Sequence, residues 1–71
     1  MAFEVGAPVK ISEKITYGYT IRNACVSRIV IAEGKRKRFP TGLYQVDYDV
    51  FDHDGSFRRR SQPFEGSDLS R

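Results

Sequence analysis

The sequence predicts an all-β domain, and three observations carry that prediction. Apolar side chains alternate with polar ones through Tyr44, Val46, Tyr48 and Val50, with Gln45, Asp47 and Asp49 between them. This is the period-two mark of a strand with one buried face. A tight turn, Asp52-His53-Asp54-Gly55, then leads to a return strand opened by Phe57 and carrying Arg58, Arg59 and Arg60. Two strands joined this closely pair antiparallel. Elsewhere β-branched and aromatic residues dominate, and no helical stripe of apolar positions can be drawn.

Each further element follows from local pattern. Gly6 and Pro8 punctuate the start, and Val9 and Ile11 alternate with Lys10 and Ser12 as a first strand. Ile15, Tyr17, Tyr19 and Ile21 fall on one face of an extended segment, so both tyrosines are expected in the core; Gly18 marks a bulge or bend. Cys25 to Ala32 is the next strand. Its Ile29-Val30-Ile31 run predicts a bent strand with both ends packed inward. Glu33 to Pro40 is a polar, basic connection, and Pro40, which cannot donate to a ladder, places the next strand after it. In the hairpin, a four-residue loop Asp52 to Gly55 sets Val50 against Phe57, Asp49 against Arg58 and Asp47 against Arg60. That register makes side-chain chemistry and pleat agree and turns Arg59 to the other face, beside Tyr48. Gln62-Pro63 ends the strand, and Phe64 to Leu69 suits one 3₁₀ turn that drops both of those residues onto the core.

Composition bounds the rest. The 71 residues are read as one small domain spanning 1–71; such a chain buries only about 60% of its unfolded surface. A single cysteine, Cys25, excludes an intrachain disulfide. The start has no signal-peptide pattern and no segment has membrane-spanning length, so a cytoplasmic setting without membrane association is expected. The net charge of +3 is modest, yet seven of the twelve basic residues fall in two runs, Lys35-Arg36-Lys37-Arg38 and Arg58-Arg59-Arg60. Clustering of one sign favours a polyanionic partner.

The order of short strands, long first connection, acidic hairpin and terminal 3₁₀-like turn resembles the SH3-like small β-barrel. The opening Phe3-x-Val5-Gly6-x-x-Val9 resembles the start of KOW-type and plasmid dihydrofolate-reductase-type barrels. The resemblance implies an SH3-like barrel of about five antiparallel strands. It implies no reductase activity, because Arg58-Arg59-Arg60-Ser61 stands where that family carries a Gln-Ile-Tyr segment. Fold analogy supports a barrel-like binding module.

Chemistry-bearing constellations are sparse. Asp52-x-Asp54-Gly55 lacks the first and last ligands of a calcium loop, and His53 and Cys25 are far from zinc spacing. Cys25 with His53 is the one conceivable nucleophile pair, and Cys25 sits in an apolar strand where a thiol is inert. The expectation is therefore a non-enzyme without metal or cofactor. A basic loop can neutralise phosphates and Phe39 can stack on an unpaired base. The expected nucleic-acid contacts are Lys35, Arg36, Lys37, Arg38, Phe39 and Arg59. The alternative is a protein-interaction module or small regulator of a larger partner, using sheet edges, the tyrosine-rich connection and the acidic turn. The Ile29-Val30-Ile31 run also leaves a homodimer open.

Overall fold

The alternation from Tyr44 to Val50 builds the centre of the fold. The computed structural model describes residues 3–33 and 38–71. In it, β3 (Arg38–Phe51) lies between β2 (Ile21–Glu33) and β4 (Phe57–Glu65) in an antiparallel three-stranded sheet. A second, two-stranded sheet joins β1 (Lys10–Ile11) to β5 (Leu69–Ser70). A Pro8–Cys25 bridge ties the segment before β1 to β2. Hydrogen bonds from the Val9 and Val26 amides to the Ala24 and Ala7 carbonyls, both 3.0 Å, reinforce it. The protein is thus all-β, with five antiparallel strands among the described residues and no closed barrel.

The core forms where the inward positions of these strands meet. Phe3, Val26 and Val46 are its most deeply buried side chains, joined by Val9, Ala24, Tyr48, Phe64 and Leu69. Burying a side chain of this kind contributes roughly 1.5–3 kcal/mol. Tyr44 closes edge-on against Phe3, ring centroids 5.4 Å apart, and Tyr48 against Phe64 at 5.9 Å. The 3₁₀ turn Gly66–Asp68 forms as expected, with Phe64 and Leu69 buried on either side of it.

Four expectations are corrected. The segment from Ile15 to Ile21 is not extended: α1 (Glu13–Thr16) is a single turn, capped by the Ser12 side chain and ended by Tyr17 in the left-handed region. Gly18 continues the reversal at φ 83°. Tyr17 is consequently 86% exposed and Tyr19 55%, where core positions were expected. A local cap and a positive-φ glycine override the period-two pattern here. Second, β2 does not fold both ends inward. Its ladder shifts register at three places, including a bulge at Asn23 with φ 55°, and Ile29 and Ile31 stay 39% and 43% exposed.

Third, β3 does not wait until after Pro40 to begin, and β4 does not end at Gln62-Pro63. Pro40 sits within β3 opposite Ile31, beside a register irregularity that already interrupts the ladder. Pro63 sits within β4 opposite Gln45. Counting the alternation from the Asp52 amide's bond to the Ser56 carbonyl, 2.7 Å, Pro63 occupies a non-hydrogen-bonded position on an edge strand, where no ladder N–H is needed.

Fourth, the hairpin register is shifted by one residue. Phe51 opposes Phe57, Val50 opposes Arg58, Asp49 opposes Arg59, and Tyr48 opposes Arg60. The loop is three residues, His53, Asp54 and Gly55, closed between Asp52 and Ser56. The Gly55 amide donates to the Asp52 carbonyl at 3.1 Å, and Gly55 takes φ 87°. This is a type I turn followed by a positive-φ residue, a common three-residue hairpin. Asp54 locks it by accepting from the Ser56 amide at 3.0 Å and the Ser56 hydroxyl at 2.6 Å. Those bonds from Ser56 hold the Asp54 carboxyl below its ordinary range.

Beyond the core, β2 and β3 run on together as a two-stranded ribbon. The Cα radius of gyration is 13.4 Å and the long axis 48 Å, against a radius of roughly 11 Å for a compact chain of this length.

Candidate functional site

The one-residue shift decides which arginine faces where, because side chains on a strand alternate between faces. Tyr48 and Val50 face inward, so their partners Arg60 and Arg58 do too, with Gln62 and Phe64 continuing the same side of β4. Instead of completing the apolar core, the first half of β4 leaves it open. A cavity of about 350 Å³ results. Its floor is apolar, from Ile21, Tyr48, Val50 and Phe64. One wall is Ile11, Ile15 and Tyr19 from β1, α1 and the following turn; the other is Arg58, Arg60 and Gln62, with Asp52 and His53 at the hairpin end. A volume near the lower end of the ligand-site range, an apolar floor and a few polar groups on one side match small-ligand sites generally.

The charges in this groove do not cancel. Arg58 is engaged: its Nε lies 2.6 Å from Asp52 Oδ2, an exposed pair of the kind that contributes about 0–1 kcal/mol. Asp52 Oδ1 also accepts from the His53 amide at 2.7 Å. Arg60 has no carboxylate within ion-pair distance among the described residues. One full positive charge therefore stands at an apolar, aromatic-lined opening.

Arg59, expected beside Tyr48, is on the outer face. Its Nη1 lies 3.3 Å from Asp49 Oδ1 and donates to the Asn23 carbonyl at 3.1 Å; its Nη2 lies 3.8 Å from Cys25 Sγ. The Asn23 side chain donates to Asp49 Oδ2 at 3.0 Å. The bulge at Asn23 is what brings these groups together. The hydrogen bond from Asn23, then that from Arg59, holds the Asp49 carboxyl below its ordinary range in spite of partial desolvation. Beside this network the Arg22 guanidinium covers the Phe57 ring at 3.5 Å, and Phe57 packs edge-on against Phe51 at 5.2 Å.

Of the other expected contacts, Lys35, Arg36 and Lys37 lie outside the described residues. Arg38 and Phe39 begin β3, their backbones opposite Glu33 and Ala32, at the end of the ribbon away from the groove. Sequence reasoning did not single out Arg60 or Gln62 as contacts, and it favoured a core position for Tyr19 while keeping the tyrosine-rich connection as an alternative contact surface. The signal available was the turn: Asp-His-Asp-Gly-Ser fits a three-residue loop with a positive-φ glycine third, and that loop fixes the register. Among the described residues no three His, Cys, Asp or Glu side chains cluster as metal ligands, and no helix is long and apolar enough to cross a membrane. No protein-family model, curated protein or solved structure matches the chain.

Proposed function

We propose that this chain is a non-enzymatic binding module for nucleic acid, built on an SH3-like barrel layout that stays open between β4 and β5. The layout is supported by the lateral order β5-β1-β2-β3-β4, assembled from the two sheets and the Pro8–Cys25 bridge, and by the 3₁₀ turn between the last two strands. The observation that carries the binding reading is Arg60. It is a guanidinium with no carboxylate partner among the described residues, at an opening lined by tyrosine and phenylalanine, in a chain whose sequence carries a further basic run, Lys35 to Arg38. Phosphates take the charge and bases take the aromatic surface. Arg59, committed to Asp49, is not the contact in this reading; Arg60 takes its place. The test is a fluorescence-anisotropy titration of labelled oligonucleotides against salt. Log K should fall by about 0.7–0.9 per phosphate contact per decade of salt. Replacing Lys35, Arg36, Lys37 and Arg38 together by Gln should flatten that slope. Equal and negligible binding by both proteins at low salt would end the reading.

A second reading, a protein-interaction module or homodimer, is favoured by a different observation. Ile29, near the end of the three-stranded region, and Ile31, on the two-stranded ribbon beyond it, remain exposed, and a two-stranded ribbon is marginal in water without further packing. A Val30→Lys variant that stays folded and sediments as a monomer, beside a dimeric wild type, would support it. A wild type that is monomeric at tens of micromolar, roughly the weak-interface range, would count against the dimer.

A further inference from the structure

The groove beside β4 also carries a statement about which form of nucleic acid is bound, and it rests on the reading just proposed. We infer that this groove takes one unpaired nucleotide of a single strand, its base against Tyr19 and its phosphate on Arg60, so that the module discriminates single strands from duplex.

Three features point there. The first is shape: the floor made by Ile21, Tyr48, Val50 and Phe64 lies below walls from α1 and β4. A base stacked and paired inside a duplex presents its edge and cannot enter such a recess; an unstacked base presents a flat apolar face that can. The second is Tyr19. It is 55% exposed although it lines the cavity, so its ring is available as a platform. Its backbone is held in place, its amide donating to the Thr16 carbonyl at 2.9 Å. Aromatic rings with this exposure next to a basic strand are the ingredients by which proteins hold single strands without reading sequence.

The third is the placement of charge. Arg60 and Tyr19 stand on opposite walls of the same opening, so a ligand bridging them needs an anionic end and an aromatic end, which a nucleotide has. Arg58 lies one strand alternation away, 2.6 Å from Asp52. It marks the direction in which the backbone runs: a neighbouring phosphate would compete with Asp52 for it. Asp52 in turn makes that end of the groove less favourable to a second close phosphate, which limits the groove to one nucleotide. Gln62, on the other side of Arg60 along β4, supplies an amide that can donate to and accept from a base edge. The apolar floor alone would suit a hydrophobic peptide equally well; the uncompensated guanidinium selects against a neutral one.

The test uses the intact chain and labelled oligothymidylate as a single strand, with a duplex of the same length beside it. The expected result is at least tenfold tighter binding of the single strand, with quenching of the intrinsic tyrosine emission. Tyr19→Ala should weaken single-strand binding between about fivefold and about a hundredfold, the range for loss of one stacked base. Arg60→Gln should lower the log–log salt slope by about 0.7, one single-strand phosphate contact, which a merely structural role would leave unmoved. Both positions are exposed, and unchanged urea midpoints show that the variants fold. Equal affinity for single strand and duplex, unaltered by either substitution but lost on neutralising Lys35 to Arg38, would overturn the inference and leave the nucleic-acid reading standing. No binding of either probe would overturn both. Displacement of the oligonucleotide by an acidic peptide at lower concentration would assign the groove to a protein partner and overturn the inference as well.

Discussion

Arg59 and Arg60 are chain neighbours with the same chemistry, and the fold gives them opposite work. Arg59 is bound on the convex side by Asp49, the Asn23 carbonyl and the Cys25 sulfur. Arg60 stands on the concave side with no carboxylate partner among the described residues, over an apolar floor. One face of β4 satisfies its charge internally, and the other presents it. The difference teaches that a run of like charges is not one surface when it lies on a strand. Its members divide between faces, and the register alone says which go where.

That division can be broken outright by removing its anchor. Phe64 is the buried end of the concave side of β4, 8% exposed and packed on Tyr48. Phe64→Ala should cost about 3–5 kcal/mol, most of the stability available to a domain of this size. Urea titration should show a variant largely unfolded in water, with both faces of the strand lost together. A midpoint close to wild type would mean that the concave side is not tied to the core.

A smaller effect is expected at the turn that sets the register. Gly55 has φ 87° and open space where a Cβ would stand, with nothing within 4 Å. Gly55→Ala therefore tests conformation without a steric clash. It should cost about 1–2 kcal/mol, read from thermal or urea unfolding, with the fold retained. A stabilised variant would show that the loop is not the positive-φ turn described.

Much of this was legible before the structure. The alternation from Tyr44 to Val50, the turn at Gly55 and the burial of Phe64 and Leu69 follow from pattern and turn chemistry, because each rests on residues close in sequence. The parts that were not legible have tertiary or cap-level causes. Ile15, Tyr17, Tyr19 and Ile21 carry a period-two pattern, yet the Ser12 cap and the left-handed backbone at Tyr17 and Gly18 turn that segment. In the hairpin, opposite-charge pairing argued for Asp49 against Arg58, a contribution of only a few tenths to about 1 kcal/mol. The three-residue turn, together with the Ser56 bonds to Asp54, outweighed it and moved every arginine to the opposite face. Seen from sequence, the groove was hidden because half of it comes from the displaced segment and half from the shifted strand.

The smallest expected effect is a pH dependence confined to carboxylates that are held low. The Asp49 value is lowered, mainly by Asn23 and then by Arg59. Its folded value thus lies under the unfolded value of about 3.9. The bond's stabilising contribution is complete above that unfolded value and is lost as pH falls through the folded one. Asp54 follows the same sign through Ser56. Asp49→Asn should therefore flatten the fall in urea midpoint between about pH 5 and about pH 2, leaving a smaller residual from Asp54. An unchanged fall would place the acid sensitivity elsewhere.

The claim on which the two-faced strand rests is the register of β3 and β4, and proton NMR of the wild-type chain reads it most directly. In an antiparallel pair the non-hydrogen-bonded residues bring their Cα atoms closest, to about 4.5 Å, and give strong cross-strand Hα–Hα contacts. The account predicts such contacts between Asp49 and Arg59 and between Asp47 and Ser61. Contacts joining Asp49 to Arg58 instead would return Arg60 to the outer face and contradict it.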